Sequence, residues 1–136
     1  MDIQKLKDML IRHEGLRNKP YADTRGFQTI GVGRNLDTVG ITREEAEYLL
    51  ENDIGRTQAA CRDNFDWFEN LTDNRKMAVI DMVFNMGLGK FFEFKKTIAY
   101  IEQGDFNAAS EEMLNSAWSV QVGARAKELS EMMRNE

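Results

Sequence analysis

Three residues near the N-terminus have the side chains that acid–base chemistry needs, and they lie at short intervals. Glu14 precedes Asp23 by nine residues, and Thr29 follows Asp23 by six. Cleavage of a glycosidic bond uses such a set, because one carboxylic acid protonates the leaving oxygen while a second carboxylate attacks the sugar or holds a water molecule. A nearby hydroxyl can orient that water. Glu14, Asp23 and Thr29 are therefore candidate catalytic residues.

Glu14 is expected at the end of a helix. Apolar spacing that includes Leu6 and Leu10 predicts a helix over 3–14, which stops at Gly15. Glu14 continues this stripe in four-residue steps, so its carboxylate is predicted to face packed surroundings at the negative end of the helix dipole. Both effects favour the protonated acid that a proton donor needs. The alternative is a solvated glutamate at a fraying helix end.

Asp23 and Thr29 lie in a segment that predicts a short β-hairpin. Residues 21–33 are rich in aromatic, β-branched and glycine residues, and the turn-like sequence Asp-Thr-Arg-Gly lies in the middle. Asp23 also fits a purely structural role, in which its side chain hydrogen-bonds the backbone of the turn. Gly31-Val32-Gly33 lacks the third glycine and the following helix of a phosphate-binding loop. A phosphate site is therefore not predicted there.

Helical patterns dominate the remaining sequence. A capping box from Thr42 to Glu45 predicts a helix over about 43–62, with a possible bend at Gly55. Residues 73–86 are apolar on almost every side, which predicts a helix at the centre of a core. Three further helical stripes follow, marked by Phe94, Ile98 and Ile101, by Phe106, Ala109 and Met113, and by Val122, Ala126, Leu129 and Met133.

Length and composition limit the class of protein. The 136 residues, 42% hydrophobic and 30% charged, suit one folded domain and argue against a disordered chain. A single Cys61 excludes an internal disulfide and is expected to be a buried apolar residue. His13 has no partners at metal-ligand spacing. The net charge of −5, without a basic run, argues against a nucleic-acid partner, and neither a signal peptide nor an apolar membrane-spanning stretch is apparent.

Several segments resemble the lysozymes of the T-even-phage type, glycoside hydrolase family 24. The frame of the candidate catalytic residues, Glu-Gly followed by Thr-Ile-Gly-Val-Gly, carries the most specific part of the resemblance. The matching segments are His13 to Arg17, Tyr21, Asp23 and Thr24, Gly26, Thr29 to Gly33, Met82 to Gly87, Ser116, Trp118, Gln121 and Arg125 to Lys127. The similarity therefore extends over nearly the whole chain.

The resemblance implies a fold and a set of site residues. The fold would be α+β and predominantly α-helical, with a small β-hairpin lobe at about 15–60. A helical lobe at about 61–136, joined by the N-terminal helix, would complete one lysozyme-like domain over 1–136. Glu14 would be the general acid, Asp23 the carboxylate that positions water or stabilises positive charge, and Thr29 its helper, usually with inversion. The residues that would line a saccharide site are Phe84, Asn85, Thr97, Trp118 and Gln121.

The implied function is an endolysin-type muramidase, which hydrolyses the β-1,4 bond between N-acetylmuramic acid and N-acetylglucosamine without metal or cofactor. The protein would be a monomer made in the host cytoplasm, and a holin-like permeabilising partner would release it to the cell wall without stable membrane insertion. Two alternatives remain. One is a non-catalytic saccharide-binding module, and the other is a chitin-directed or transglycosylase activity on the same fold.

The sequence departs from the family pattern in places that bear on the site. Arg34 stands where the pattern usually has His, so a His–carboxylate pair is not expected there. The connection from Asp37 to Ile41 is much shorter than in the T-even form, which predicts a smaller N-terminal lobe. Trp118 is placed in a loop between helices, with sugar stacking and core packing both open. Arg125 is expected to pair with Glu14.

Overall fold

The computed structural model describes residues 1–136, which form two compact units, Met1–Leu49 and Leu50–Glu136. Eight α-helices and a three-stranded antiparallel sheet confirm the predicted α+β, predominantly α-helical class. The helices are α1 (Ile3–Glu14), α2 (Arg43–Asn64), α3 (Asp73–Met86), α4 (Leu88–Phe92), α5 (Lys95–Gln103), α6 (Phe106–Leu114), α7 (Ala117–Val122) and α8 (Ala124–Arg134). A short 3-10 helix covers Phe68–Asn70. No helix combines the length and the apolar character needed to cross a membrane.

The sheet of the first unit has three strands where the sequence predicted a hairpin. The strands are β1 (Arg17–Ala22), β2 (Gln28–Gly31) and β3 (Arg34–Asn35), and they lie in that order. β2 pairs on both sides, so Thr29 lies opposite a residue of β1 and a residue of β3. The third strand is only two residues long, which is too short for period-two alternation to reveal.

The capping box at the start of α2 is confirmed. The Thr42 hydroxyl accepts the backbone N–H of Glu45 at 3.1 Å, and the Glu45 carboxylate accepts the backbone N–H of Thr42 at 2.9 Å. The helix continues to Asn64 without a break at Gly55. Glycine lowers helix propensity but keeps its N–H donor, so the bend allowed by the sequence does not form.

The second unit contains the apolar core, in which α3 contributes Ala78, Val79, Met82 and Val83. The expectation of burial on every side of this helix is only partly right, because other side chains of α3 are about half exposed. Cys61 is fully buried at the end of α2, as expected, and burial raises the pKa of its thiol to about 11. A thiol in this state is a packing group and a poor nucleophile.

The C-terminal helices are more divided than the apolar stripes suggested. Trp118 lies on α7, so its expected position in a loop is wrong. Gly123, at φ 56° and ψ −115°, separates α7 from α8 and interrupts the stripe that begins at Val122. Short helices of five or six residues contain too few turns to produce a recognisable period, and α4 has no clear pattern for the same reason.

Arg75 connects α3 to the end of α8. Its side chain donates to the backbone carbonyls of Met133 at 2.8 Å and Arg134 at 3.1 Å. The guanidinium also lies 3.6 Å from the centre of the Phe106 ring. Although it is charged, Arg75 is only 8% exposed, and these contacts compensate its burial.

Candidate active site

Glu14 is the last residue of α1, and its side chain is exposed. The prediction that it faces packed surroundings is therefore wrong. Its carboxylate lies over the turn between β2 and β3, where a β-carbon added at Gly33 would be 3.1 Å from Oε2. Gly33 has no side chain to cover the carboxylate, so the group stays accessible while the backbone of the turn limits its position.

Asp23 is held by the backbone of the turn between β1 and β2. One of its oxygens, Oδ1, accepts the backbone N–H groups of Arg25 at 2.9 Å and Phe27 at 2.8 Å. The structural role that the sequence left open for Asp23 is thus present. The second oxygen, Oδ2, makes no protein hydrogen bond, so it is free to accept a proton or to hold water.

Thr29 is 3% exposed on the central strand β2. Its hydroxyl donates to the backbone carbonyl of Phe27 at 3.0 Å. Because the single proton of the hydroxyl is used in this bond, Thr29 Oγ1 can only accept a hydrogen bond from a further group. Phe27 is therefore a common anchor, since its N–H binds Asp23 and its carbonyl binds Thr29.

Three of the five predicted saccharide residues line one cavity of about 480 Å³ in the second unit, namely Asn85, Trp118 and Gln121. The indole N–H of Trp118 donates to the Asn85 side-chain oxygen at 2.9 Å. This bond leaves the Asn85 amide protons for a ligand. Lys90 and Glu93 also line the cavity. The apolar pattern did not single them out, because both are exposed charged residues.

The remaining predicted saccharide residues lie elsewhere in that unit. Thr97 is 2% exposed and lines a second cavity of about 360 Å³, to which Glu93 also contributes. Phe84 is 45% exposed and lines an apolar groove of about 470 Å³ together with Asp81 and Arg125. The structure therefore does not bring Phe84 into the cavity that contains Asn85.

Trp118 lies in the core and borders the cavity, so its position bears on both roles that the sequence left open, core packing and sugar stacking. It is 8% exposed, and its ring meets Phe94 edge to face with centroids 6.1 Å apart. Packing therefore accounts for most of the indole surface, although part of it borders the cavity. Its clearest polar contact is the hydrogen bond that orients Asn85.

Two arginines, Arg125 and Arg34, bind carboxylates that the sequence did not predict as their partners. Arg125 donates to Asp81 at 2.7 Å, so the expected partner Glu14 is replaced by a carboxylate of α3. Arg34 donates to Glu45 at 2.8 Å and to the carbonyl of Gly40 at 3.1 Å. An arginine–carboxylate pair therefore occupies the position where the family pattern usually has His. The structure contains no group of three or more His, Cys, Asp or Glu side chains able to hold a metal ion.

The fold is helix-rich and α+β, with one carboxylate exposed at the end of α1 and another in the turn between β1 and β2, and a pair of carboxylates is the usual catalytic equipment of the glycoside hydrolases. Residues 11–136 match the phage lysozyme family, and the chain belongs to this family. Peptidoglycan is the substrate of this family. This membership rests on the match over most of the chain as well as on the fold.

Individual relatives agree with the family match. A probable T4-type lysozyme of Dictyostelium discoideum is 32% identical over 153 positions, which cover 91% of this chain and 90% of the relative. An endolysin of Acyrthosiphon pisum secondary endosymbiont phage 1 is 34% identical over 115 positions, covering 82% of this chain and 75% of the endolysin. The pre-baseplate central spike protein Gp5 of Enterobacteria phage T4 is 29% identical over 92% of this chain, which spans only 27% of that protein.

Proposed function

We propose that this protein hydrolyses the β-1,4 bond between N-acetylmuramic acid and N-acetylglucosamine in peptidoglycan, with inversion and without metal or cofactor. The main support is the contrast between its two carboxylates. Glu14 is exposed at a helix end, whereas Asp23 is fixed through one oxygen and keeps the other free. Exposure lets Glu14 reach a polymeric substrate from a helix end whose dipole favours the protonated acid, and its free oxygen lets Asp23 hold a water molecule.

In the proposed reaction, Glu14 donates its proton to the glycosidic oxygen as the bond to the anomeric carbon breaks. A water molecule held by Asp23 Oδ2 attacks that carbon from the opposite face and transfers a proton to the carboxylate. Thr29 Oγ1 accepts a hydrogen bond from the second proton of this water, which leaves a lone pair directed at the sugar. The cycle closes when Asp23 loses its proton to solvent and Glu14 gains one.

We assign saccharide contacts in the second unit to Phe84, Asn85, Thr97, Trp118 and Gln121. The amide groups of Asn85 and Gln121 suit the hydroxyl and N-acetyl groups of an amino sugar, because an amide both donates and accepts hydrogen bonds. Trp118 would act mainly by orienting Asn85. Phe84 offers an exposed aromatic face, which suits contact with the apolar side of a sugar ring.

We further propose that residues 1–136 act as one monomeric lysozyme-like domain. The protein would be synthesised in the host cytoplasm and reach the cell wall with the help of a holin-like permeabilising factor. Sedimentation of the purified chain tests the monomer, and a single unfolding transition tests the single domain. Clearing of intact host cells only when the membrane is permeabilised tests the need for a release factor.

The central test compares the wild type, Glu14→Gln and Glu51→Gln on purified peptidoglycan. Glutamine cannot donate a proton as an acid, so Glu14→Gln should lose about 100- to 10,000-fold in rate. Glu51 is an exposed glutamate of α2 outside the candidate site, and its replacement should leave the rate unchanged. Clearing by Glu14→Gln within tenfold of the wild type would contradict the assignment.

Product analysis separates the alternatives. Hydrolysis gives reducing ends, whereas a lytic transglycosylase gives an anhydro sugar, and a saccharide-binding module gives neither. Release of sugars from chitin but not from peptidoglycan would indicate a chitin-directed enzyme. The first anomer formed, followed by NMR before mutarotation, tests inversion.

A further inference from the structure

The turn between β2 and β3 is weakly held by its own backbone. Ile30 pairs with Arg34, so Gly31, Val32 and Gly33 connect the two strands, and of these Gly31 is still the last residue of β2 and pairs with Arg17 of β1. Both glycines have positive φ, 69° and 68°. β3 contributes only two residues to the sheet. On the β3 side, a ladder of two residues next to Gly33 is marginal by itself, so something else must fix that side of the turn.

Glu14 depends on the position of this turn. A β-carbon at Gly33 would be 3.1 Å from Glu14 Oε2 and 3.6 Å from its Cδ and Cγ atoms. The proton donor assigned above therefore occupies the space that a side chain at position 33 would need. Any displacement of the loop changes the space that the carboxylate can occupy.

Arg34, the residue directly after the loop, connects it to α2. A single guanidinium nitrogen, Nη1, donates to the Glu45 carboxylate at 2.8 Å and to the Gly40 carbonyl at 3.1 Å. One side chain thus joins the strand, the β3–α2 connection and the first turn of α2. A lysine keeps the charge and has three N–H donors, but its side chain is shorter than that of arginine, so it can reproduce the arrangement only in part.

The Glu45 carboxylate, which accepts the hydrogen bond from Arg34, is itself held in place by further hydrogen bonds. Glu45 Oε1 also accepts the backbone N–H of Thr42, and the Thr42 hydroxyl accepts the N–H of Glu45. Hydrogen bonds from Arg34 and from Thr42 lower the pKa of Glu45 to about 2, so it is charged near neutral pH. Arg34 is therefore attached to a rigid helix start and not to a mobile side chain.

We propose that Arg34 is a positioning residue for hydrolysis, which holds the Gly31–Gly33 turn against α2 so that Glu14 keeps its place over Gly33. This inference rests on the proposed role of Glu14 as the proton donor. Arg34 does not touch the substrate in this scheme. Its effect is transmitted through the backbone of the loop to the Glu14 carboxylate.

The test uses Arg34→Met, Arg34→Lys and the matched control Arg43→Met in the full chain. Arg43 forms an Arg–Glu pair on the same helix, with Glu47 at 2.9 Å, but has no contact with the turn. Arg34→Met should lower kcat about tenfold, since small misplacements of a catalytic group are costly, and should leave KM within about twofold. Arg34→Lys should recover part of the loss, and Arg43→Met should match the wild type.

Two further measurements report on the turn and on Glu14 directly. Hydrogen exchange of the amides at 31–33 should speed up in Arg34→Met and stay unchanged in Arg43→Met. The chemical shift of the Glu14 carboxyl carbon, measured by NMR at one pH, should change in Arg34→Met and stay at the wild-type value in Arg43→Met. These measurements need no substrate, and Arg34→Lys provides the same comparison if Arg34→Met does not fold.

The outcomes separate this inference from the proposed function. If the wild type hydrolyses peptidoglycan and Glu14→Gln does not, but Arg34→Met keeps kcat within twofold, the positioning role is wrong and the function stands. An equal loss in kcat for Arg34→Met and Arg43→Met would also overturn it, because the effect would then be a general one on α2. An inactive wild type would refute the proposed function and with it any role of Arg34 in hydrolysis.

Discussion

Adding one methyl group at Gly33 tests the contact between Glu14 and the turn. Gly33→Ala and Gly31→Ala form a matched pair, because the two glycines have almost the same φ, 68° and 69°. A β-carbon at Gly31 would have no neighbour within 4 Å, whereas the one at Gly33 would lie 3.1 Å from Glu14 Oε2. The two variants therefore share a backbone effect and differ in one contact.

The backbone effect sets the expected loss of stability. A residue other than glycine in the left-handed region costs about 1–2 kcal/mol, so both variants should lose about this much free energy of unfolding.

The contact between a β-carbon at position 33 and Glu14 sets the expected loss of activity. A neighbour at 3.1 Å must move by a few tenths of an ångström, and the flexible end of Glu14 can do so. Because about 1 Å of misplacement can cost 100-fold, Gly33→Ala should lose about tenfold or somewhat more in kcat.

Urea unfolding and initial rates of reducing-end release measure the two effects on the same preparations. We expect equal losses of unfolding free energy in the two variants, and a clearly larger loss of kcat in Gly33→Ala than in Gly31→Ala. Equal kcat values for Gly31→Ala and Gly33→Ala would refute the argument that Gly33 sets the position of the proton donor. A larger loss in Gly31→Ala would show that the turn acts on catalysis through another group.

Three further predictions concern stability and charge. Arg75→Ala removes two hydrogen bonds to the end of α8 and the contact with Phe106. It should therefore lower the free energy of unfolding, measured by urea denaturation, by about 2–4 kcal/mol. A loss below about 1 kcal/mol would contradict this prediction. Glu45→Gln should have a lower Tm than the wild type at pH 7. The difference in Tm should shrink below pH 4.5 and vanish near pH 2, because the pKa of Glu45 in the folded protein lies below its usual 4.5. A difference in Tm that does not change with pH would exclude the charge of Glu45 as its cause. The first unit has eight acidic and eight basic residues, and the second carries the net charge of −5. Added salt should therefore leave the rate at which the anionic wall is cleared unchanged or raise it. A steep loss of this rate between about 10 and 150 mM salt would show that local basic groups attract the substrate.

The sequence by itself determined those features that depend on neighbouring residues. The bounds of α1 and α3 agree with the predicted 3–14 and 73–86, because a capping side chain at one end and a glycine at the other act within a single turn. The capping box of α2 follows from two residues three positions apart. The candidate catalytic set was also found by type and spacing, and its roles remain predictions.

Tertiary structure alone decided the partners of residues that are distant in the chain. Arg34 and Glu45 are 11 positions apart, and Arg125 and Asp81 are 44 apart, so no local rule relates them. The exposure of Glu14 likewise depended on a glycine 19 residues later, because the β2–β3 turn places bare backbone beneath the carboxylate. Helix periodicity indicates which residues share a face, but packing determines what that face meets. For this reason the surroundings of Glu14 could not be inferred from its position on a helix.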